Sequence, residues 1–139
     1  MPPIEVAAGL IFRNGSLLIA QRHDDAHLGG LWEFPGGKRE SGESFEECLK
    51  RELREELDVE VEVLELIESI HHAYPDKSVS LEFYRCRLVG QEPRAVDCQA
   101  IAWVDRDELS RFEFPAADDR LLTRLRTDAA LWATRPESG

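Results

Sequence analysis

The sequence predicts a mixed α/β fold in which a β-sheet lies between helices. Segments that alternate between apolar and polar residues, or that are apolar throughout, outnumber the segments with helical periodicity. The two helical segments are separated by predicted strands. Helices distributed among strands favour a sandwich in which they pack on the sheet. A chain of 139 residues can form its own core, so we expect one domain over residues 1–139.

Two strands near the start of the chain are predicted to form a hairpin. Residues 4–12 (IEVAAGLIF) and 16–21 (SLLIAQ) flank Asn14-Gly15, a pair that is typical of tight hairpin turns. A loop rich in His, Asp and Gly is expected over residues 22–31. It leads through a short WEF segment into a glycine loop at residues 35–37.

The rest of the chain continues to mix strands with a helix. Residues 59–63 (VEVEV) alternate as a half-buried strand does, and the change of phase at Leu64 predicts a β-bulge before Ile70. Residues 78–89 and 100–104 are two more predicted strands. The last helix is expected to begin near Asp118 and to turn these residues inward: Leu121, Leu122, Leu125, Leu131 and Trp132. The end of the chain, RPESG, is expected to be a loose tail.

The helix predicted after the glycine loop carries acids where apolar residues are expected. Ser44 and Glu47 form a plausible capping box at its start. On a wheel of about 100° per residue, Glu52 and Glu56 fall within or beside the apolar stripe, and Glu55 lies just off it. The stripe itself consists of Phe45, Leu49, Leu53 and Leu57.

Three carboxylates crowded on a partly buried face need a compensating charge. They repel one another and lose hydration, which raises their pKa values. Without compensation the arrangement costs roughly several kcal/mol, a large share of the stability of a domain. Mg²⁺ prefers oxygen ligands and keeps positions open for substrate phosphates, so the helix is a candidate metal site. The alternative is an unusually acidic helix that is simply solvated.

The spacing around this helix resembles the Nudix box, G-x5-E-x7-R-E-U-x-E-E-x-G-U, over residues 37–59. The matching residues are Gly37, Glu43, Arg51, Glu52, Leu53, Glu55, Glu56 and Val59. One position departs, because Asp58 stands where the box has its second glycine. Asp tolerates left-handed backbone conformations better than most residues, so we expect the fold and the metal site to survive this change.

The resemblance extends over nearly the whole chain and points to the MutT-like members of the Nudix family. The segments VAAGLIF, AQR, AH, WEFPGGK and FPAAD carry it outside the box. It implies the Nudix α/β/α sandwich, with a mixed sheet between helices. It also implies hydrolysis of a nucleoside triphosphate to the monophosphate and pyrophosphate, with 8-oxo-dGTP as the expected substrate. Hydrolysis of CTP or dCTP, or of another compound linked to a nucleoside diphosphate, is the alternative.

The same resemblance implies roles for the acids. Glu52, Glu55 and Glu56 would hold Mg²⁺, or Mn²⁺ as an alternative, together with the Gly37 carbonyl. Asp97 lies in the loop where MutT-like proteins place a further metal-binding or catalytic acid. Glu52 or a neighbouring acid would help to deprotonate the attacking water. Arg51 would orient the acidic cluster by pairing with Glu55 or Glu43.

Four residues are candidates for contacts with the nucleotide. Arg22 and Lys38 are the nearest cations for phosphate contacts, although both could equally be surface cations. Phe34 could flank a purine, or it could be a core residue at strand spacing. An ionised Asp118 only accepts hydrogen bonds, so it suits the donor edge of guanine or of cytosine. Asp118 could also be simply the cap of the last helix.

Composition restricts the partners. The net charge is −11 and the sequence pI is about 4.8, the wrong sign for holding a nucleic acid polymer by its phosphates. The three cysteines have no metal-ligand or redox spacing. No apolar run is long enough to cross a bilayer, and no leader precedes the first strand. We therefore expect no nucleic acid polymer and no membrane as partner, and a cytoplasmic location. The family resemblance implies a small nucleotide as partner, and we expect a monomer or a homodimer.

Overall fold

The computed structural model describes residues 3–26 and 28–133. It contains seven strands and two α-helices, in the order β1, β2, β3, β4, α1, β5, β6, β7, α2. The strands are β1 Ile4–Arg13, β2 Ser16–Gln21, β3 Trp32–Glu33, β4 Gly36–Lys38, β5 Glu60–Tyr74, β6 Lys77–Val89 and β7 Ala100–Val104. The helices are α1 Phe45–Leu57 and α2 Asp119–Thr127. His27 and the predicted tail over residues 135–139 lie outside the described residues.

Strand β1 organises the sheet. The strand order in the sheet is β3-β2-β1-β6-β5, with β4 paired to β1 and β7 paired to β2. The neighbours β2 and β4 are antiparallel to β1, whereas β6 is parallel to it, so the sheet is mixed. The predicted first hairpin is confirmed: Asn14 and Gly15 have φ angles of 52° and 80°, as a two-residue turn of this type requires.

Helix α1 is closed at both ends by local hydrogen bonds. The predicted capping box is confirmed, since the Glu47 amide donates to the Ser44 hydroxyl and the Ser44 amide donates to the Glu47 carboxylate. The helix ends at Asp58, whose φ of 56° and ψ of 45° are left-handed. Asp58 thus adopts the conformation for which the box uses glycine, and its side chain also pairs with Arg94 at 3.0 Å.

The two faces of the sheet carry separate cores, so the predicted sandwich is confirmed. One core packs α1 through its buried Leu49, Leu53 and Leu57. The other packs α2 and the segment after it, including Leu125 and Trp132. Because the sheet lies between two buried helix faces, its central strands are covered on both sides. Within residues 3–26 and 28–133, no helix has the length and apolar character needed to cross a membrane.

Three details of the fold concern the sequence predictions. The bulge predicted in β5 is confirmed, because the register with β6 shifts between Val63 and Glu68. The predicted glycine loop is in part a strand, since β4 pairs with β1 at Ala7 and Gly37. The last helix is shorter than expected: it ends at Thr127, and a separate 3₁₀ turn over Ala129–Trp132 buries the remaining apolar residues.

Candidate active site

A cavity of about 380 Å³ lies between the sheet, β4, α1 and the turn that precedes α2. Its size falls within the range of small-molecule sites. Two groups of residues that line the cavity contain carboxyl side chains. The first, which we call the acidic wall, is formed by Gly37, Glu52 and Glu56. The second, which we call the 115–118 wall, contains Pro115, Ala117 and Asp118.

Ionisation of the two glutamates of the acidic wall is unfavourable. Burial, together with the charges of Glu33, Glu52 and Asp97, raises the pKa of Glu56 to about 9. A hydrogen bond from the Gly36 amide, at 3.3 Å, opposes this only in part. Burial also raises the pKa of Glu52. The sequence prediction that these crowded carboxyls have raised pKa values is therefore confirmed for Glu52 and Glu56.

Arg51 connects the acids of the box. Its guanidinium donates to both oxygens of Glu43, at 3.1 and 2.7 Å, to Glu52 at 2.9 Å and to Glu55 at 3.4 Å. The predicted pairing with Glu55 or Glu43 is confirmed, because Arg51 contacts both. These hydrogen bonds are the main reason why the pKa of Glu43 falls to about 2. A further bond to the Lys38 carbonyl, at 3.1 Å, ties the box helix to β4.

Gly37 leaves room for the Glu52 carboxylate beside β4, and a side chain at this position would displace that carboxylate. A Cβ atom at this position would lie 2.3 Å from the Glu52 carboxyl carbon, closer than any real contact. The absence of a side chain lets the Glu52 carboxylate lie beside the backbone of β4. The Gly37 carbonyl accepts a weak hydrogen bond from the Cys48 thiol, at 3.5 Å.

The donors of the acidic wall have the chemistry of a site for a hard divalent cation. They are carboxylate oxygens in excess of nearby positive charge, and a backbone carbonyl lies next to them. As the described side chains stand, no three acids, histidines or cysteines are close enough to share an ion. In this arrangement the Arg51 guanidinium makes hydrogen bonds to the carboxylates of Glu52 and Glu55. A cation at Glu52 and Glu56 would relieve the repulsion that raises their pKa values.

Two predicted ligands stand apart from the cavity. The side chains of Glu55 and Asp97 are 58% and 75% exposed, and neither contributes to the cavity wall. Asp97 is nevertheless near the acids, because its amide donates to the Glu56 carbonyl at 3.1 Å. Its carboxylate lies 3.4 Å from a ring nitrogen of His23. Asp97 therefore lies beside the acidic wall on an exposed loop.

The other predicted nucleotide contacts line the cavity. Arg22 reaches it while paired with Glu33 at 2.6 Å, and Lys38 lies at its exposed rim. Phe34 is buried, with its ring stacked on Phe114 at a centroid distance of 5.0 Å. Phe34 is thus a core residue that also forms part of the cavity wall, and one of its faces is already covered.

Asp118 is buried and is not a side-chain cap. It lies at the start of α2, yet its carboxyl accepts no capping hydrogen bond from the helix. It lines the cavity with 7% of its surface exposed. Burial raises the pKa of Asp118 to about 7, with contributions from Glu33 and Asp119, while Arg22 opposes the shift.

Sequence reasoning missed Glu33, which connects the two walls. Its pKa is raised by burial, although Arg22 lowers it, and its charge acts on both Glu56 and Asp118. A signal was present: Glu33 is an acid between two aromatic residues in a segment otherwise read as apolar. Tyr74 and Lys77, from the β5–β6 hairpin, also line the cavity and carried no recognisable sequence signal.

Comparison with known proteins agrees with this geometry. The family model described as the NUDIX domain matches residues 7–124. An 8-oxo-dGTP diphosphatase of Escherichia coli (strain K12) is 32% identical over 127 residues, which cover 91% of this chain and 98% of that protein. A CTP pyrophosphohydrolase of the same strain is 37% identical over 136 residues, which cover 98% of each chain.

Solved structures show the same fold over the same span. The solution structure of the E. coli ORF135 protein superposes with a TM-score of 0.79 at 36% identity. The match covers 99% of this chain and 96% of the ORF135 chain. A MutT structure from Staphylococcus aureus, solved by NMR, gives a TM-score of 0.74 at 31% identity, with 91% and 98% covered. The chain therefore belongs to the Nudix hydrolase family.

Proposed function

We propose that the protein hydrolyses 8-oxo-dGTP to the monophosphate and pyrophosphate in a reaction that depends on Mg²⁺. The observation that carries this proposal is one cavity that combines the acidic wall with a buried carboxyl, Asp118. The relative named 8-oxo-dGTP diphosphatase supports the substrate. Removal of this nucleotide from the pool would keep an oxidised base out of newly made DNA.

The acidic wall is the proposed reaction centre. Glu52, Glu55, Glu56 and the Gly37 carbonyl would hold Mg²⁺, with Asp97 as a further ligand or catalytic acid. Bound Mg²⁺, or Mn²⁺ in its place, supplies neutralisation of phosphate charge and a lower pKa for the attacking water. A carboxylate oxygen of Glu52 or of a neighbouring acid accepts the proton of that water.

Two cations of the cavity would bind the phosphates. Arg22 lines the cavity between the two walls, and its pair with Glu33 keeps the guanidinium in a fixed position. Lys38 lies directly after Gly37 in β4, at the exposed rim of the same cavity. Phosphate oxygens at these two positions would lie next to the acidic wall, which suits attack on a diphosphate bond.

The base would be read by Asp118. With a pKa of about 7, this carboxyl is in part protonated at neutral pH, and its neutral form both donates and accepts a hydrogen bond. Guanine presents an acceptor at O6 next to a donor at N1, so the neutral acid matches this edge as an amide would. Phe34 supplies an apolar wall beside it.

CTP is the second candidate substrate, because an ionised Asp118 accepts a hydrogen bond from the cytosine amine. The CTP pyrophosphohydrolase that is 37% identical over almost the full chain favours it too. With these contacts, to O6 and N1 of guanine and to the amine of cytosine, the two substrates favour opposite protonation states of one side chain. The preference between 8-oxo-dGTP and CTP therefore depends on Asp118, whereas the hydrolytic step is the same for both.

The test is a comparison of catalytic efficiencies for 8-oxo-dGTP, dGTP and CTP, scored by release of pyrophosphate with Mg²⁺ and with a chelator. We expect the highest kcat/KM for 8-oxo-dGTP and no turnover with the chelator. A Glu56→Gln variant serves as the matched control for contaminating hydrolases. A higher kcat/KM for CTP would favour the second candidate. Release of inorganic phosphate instead of pyrophosphate, or no turnover of any of the three, would contradict the proposal.

A further inference from the structure

The bulge in β5 is the docking point of α2. The register of β5 with β6 slips around Ile67, which is the extra residue between the pairs made by Leu66 and Glu68. The carbonyls of Ile67 and Ser69 are turned to α2, where guanidinium groups bind them. Bulges commonly bend a strand next to a functional site. This bulge presents backbone carbonyl acceptors to α2, the helix that follows the 115–118 wall.

Two arginines one turn apart on α2 make these bonds. Arg120 donates to the Ser69 carbonyl and Arg124 donates to the Ile67 carbonyl. Both also bind Glu68, whose carboxylate lies 3.1 Å from Arg120 and 3.4 Å from Arg124. The Glu68 side chain is 19% exposed, and its single negative charge between the two guanidinium groups reduces their repulsion on one helix face. We call these three residues, Glu68, Arg120 and Arg124, the arginine clamp.

The clamp adds a polar constraint to the placement of α2 on the sheet. The fully buried side chains of Leu121 and Leu125 attach the helix by close packing. Charge-assisted hydrogen bonds to backbone carbonyls have a preferred direction and length. They therefore refine the rotation and axial position that the apolar packing sets.

Asp118 is the residue that depends on this placement. It immediately precedes α2, and no capping hydrogen bond within the helix holds its carboxyl. A small rotation or shift of α2 would change how far the carboxyl reaches into the cavity. None of the clamp residues lines the cavity.

We propose that the arginine clamp sets nucleotide preference by positioning Asp118. The proposal rests on the proposed function, because it requires that Asp118 contacts the base. Glu68, Arg120 and Arg124 are positioning residues in this scheme, and none of them touches the substrate. Their substitution should redistribute efficiency among nucleotides and leave the hydrolytic step largely intact.

The experiment is a double-mutant cycle between Glu68→Gln and Asp118→Ala, because alanine removes every hydrogen-bonding group that could contact the base, whereas the amide of asparagine would keep contacting it. The readout is the ratio of kcat/KM for 8-oxo-dGTP to that for CTP. We expect Glu68→Gln to change this ratio at least about twofold, the lower end of the coupling found within one contact network, and mainly through KM. In the Asp118→Ala background the same substitution should leave the ratio unchanged. Arg124→Met is a second variant with the same expectation.

A matched control and a binding measurement complete the test. Glu62→Gln removes a carboxylate of β5 that pairs with Arg87 on β6, away from α2, and should leave the ratio unchanged. Calorimetric titration of 8-oxo-dGMP and CMP without metal gives the preference independently of turnover. In each variant, the ratio of the affinities for 8-oxo-dGMP and CMP should shift in the same direction as the ratio of kcat/KM.

The outcomes separate the clamp from the proposed function. If Asp118→Ala changes the ratio and Glu68→Gln and Arg124→Met do not, the clamp proposal is wrong while the proposed function stands. If Glu68→Gln has the same effect with and without the Asp118 carboxyl, it acts by another route and the proposal is also wrong. Failure of the unsubstituted protein to bind either monophosphate or to hydrolyse either triphosphate would overturn the proposed function, and the clamp's role with it.

Discussion

The two walls of the cavity are built in opposite ways. The acidic wall comes from one contiguous segment, residues 37–59, in which Arg51 makes hydrogen bonds to three carboxylates. The 115–118 wall contributes one carboxyl to the cavity, that of the buried Asp118. In our proposal its position depends on the docking of α2 on a distant strand. The comparison teaches that the proposed metal ligands Gly37, Glu52 and Glu56 come from one local segment, whereas the proposed selection of the base depends on tertiary packing. Substitutions on the two walls should therefore have different kinetic signatures.

The largest effect is expected at the acidic wall, from Glu56→Gln. With Mg²⁺ present, kcat should fall at least about 100-fold, because a proposed metal ligand is lost. In the metal-free protein the substitution should raise the free energy of unfolding near neutral pH. The native pKa of Glu56 is about 9, so its ionisation costs stability as the pH rises above 4.5.

Steady-state kinetics and urea titration of the metal-free protein measure these two effects. Glu46→Gln, on the exposed side of α1, is the control and should change neither. Retention of most of the turnover by Glu56→Gln would remove Glu56 from the metal site.

A smaller effect is expected from Asp97→Asn. Because Asp97 lies beside the acidic wall and not in the cavity, we expect kcat to fall about tenfold or more while KM changes little. The measurement is a full Michaelis–Menten curve with 8-oxo-dGTP. Asp107→Asn, an exposed loop acid elsewhere, is the control. An unchanged kcat would make Asp97 a loop residue without a role in the reaction.

On the 115–118 wall, Asp118→Asn should change preference more than turnover. In the unsubstituted protein the ratio of kcat/KM for 8-oxo-dGTP to that for CTP should fall as the pH rises through about 7, because Asp118 loses its proton. The variant should lose this pH dependence. At alkaline pH the ratio should be about tenfold higher in the variant, since a mismatched hydrogen bond costs about 1–3 kcal/mol.

Unfolding measurements test the same side chain independently of turnover. An acid with a raised native pKa costs stability above its unfolded value of 3.8, and the cost grows until the pH passes 7. Asp118→Asn should therefore stabilise the protein at about pH 8 and have little effect near pH 4. Equal losses of activity on all nucleotides together with a lower melting temperature would make Asp118 a structural residue only.

The smallest kinetic effect is expected from Glu43→Gln, which weakens the scaffold of the acidic wall. Its native pKa of about 2 is depressed mainly by Arg51, so the stabilisation is complete above 4.5 and is lost as the pH falls towards 2. The variant should be less stable than the unsubstituted protein at neutral pH, and the difference should narrow on acidification. Urea midpoints at several pH values measure this, with the exposed Asp107→Asn as the control. A difference that does not depend on pH would exclude the carboxylate–guanidinium bond as its cause.

The sequence predicted local features well. Ser44 and Glu47 signalled the start of α1, and Asn14-Gly15 signalled the hairpin, because the physical causes of these features lie within four residues. The placement of Glu52 and Glu56 on the buried face followed from helical periodicity alone. The network of Arg51 followed from the resemblance of the box.

Features that depend on distant contacts were not predictable in the same way. Strand β4 forms because β1 supplies its hydrogen-bond partners, and nothing local distinguishes Gly36–Lys38 from a turn. The interpretation of Phe34 as a core residue is confirmed, and only the position of Phe114 shows which face of its ring is covered. A contact between Phe34 and a purine stays a prediction. The raised pKa of Asp118 and the role of Glu33 arise from burial, which a sequence does not state.

The position of β1 has a consequence for how the chain is made. Ile4 pairs with Val79 of the parallel strand β6, so this edge of β1 stays unpaired until more than half of the chain has left the ribosome. The nascent strand carries Leu10 and Ile11, which end fully buried. An unpaired apolar edge is prone to aggregation, and pairing over such a separation is slow. Substitutions in β6 that slow its pairing with β1 should therefore reduce the yield of folded protein during synthesis.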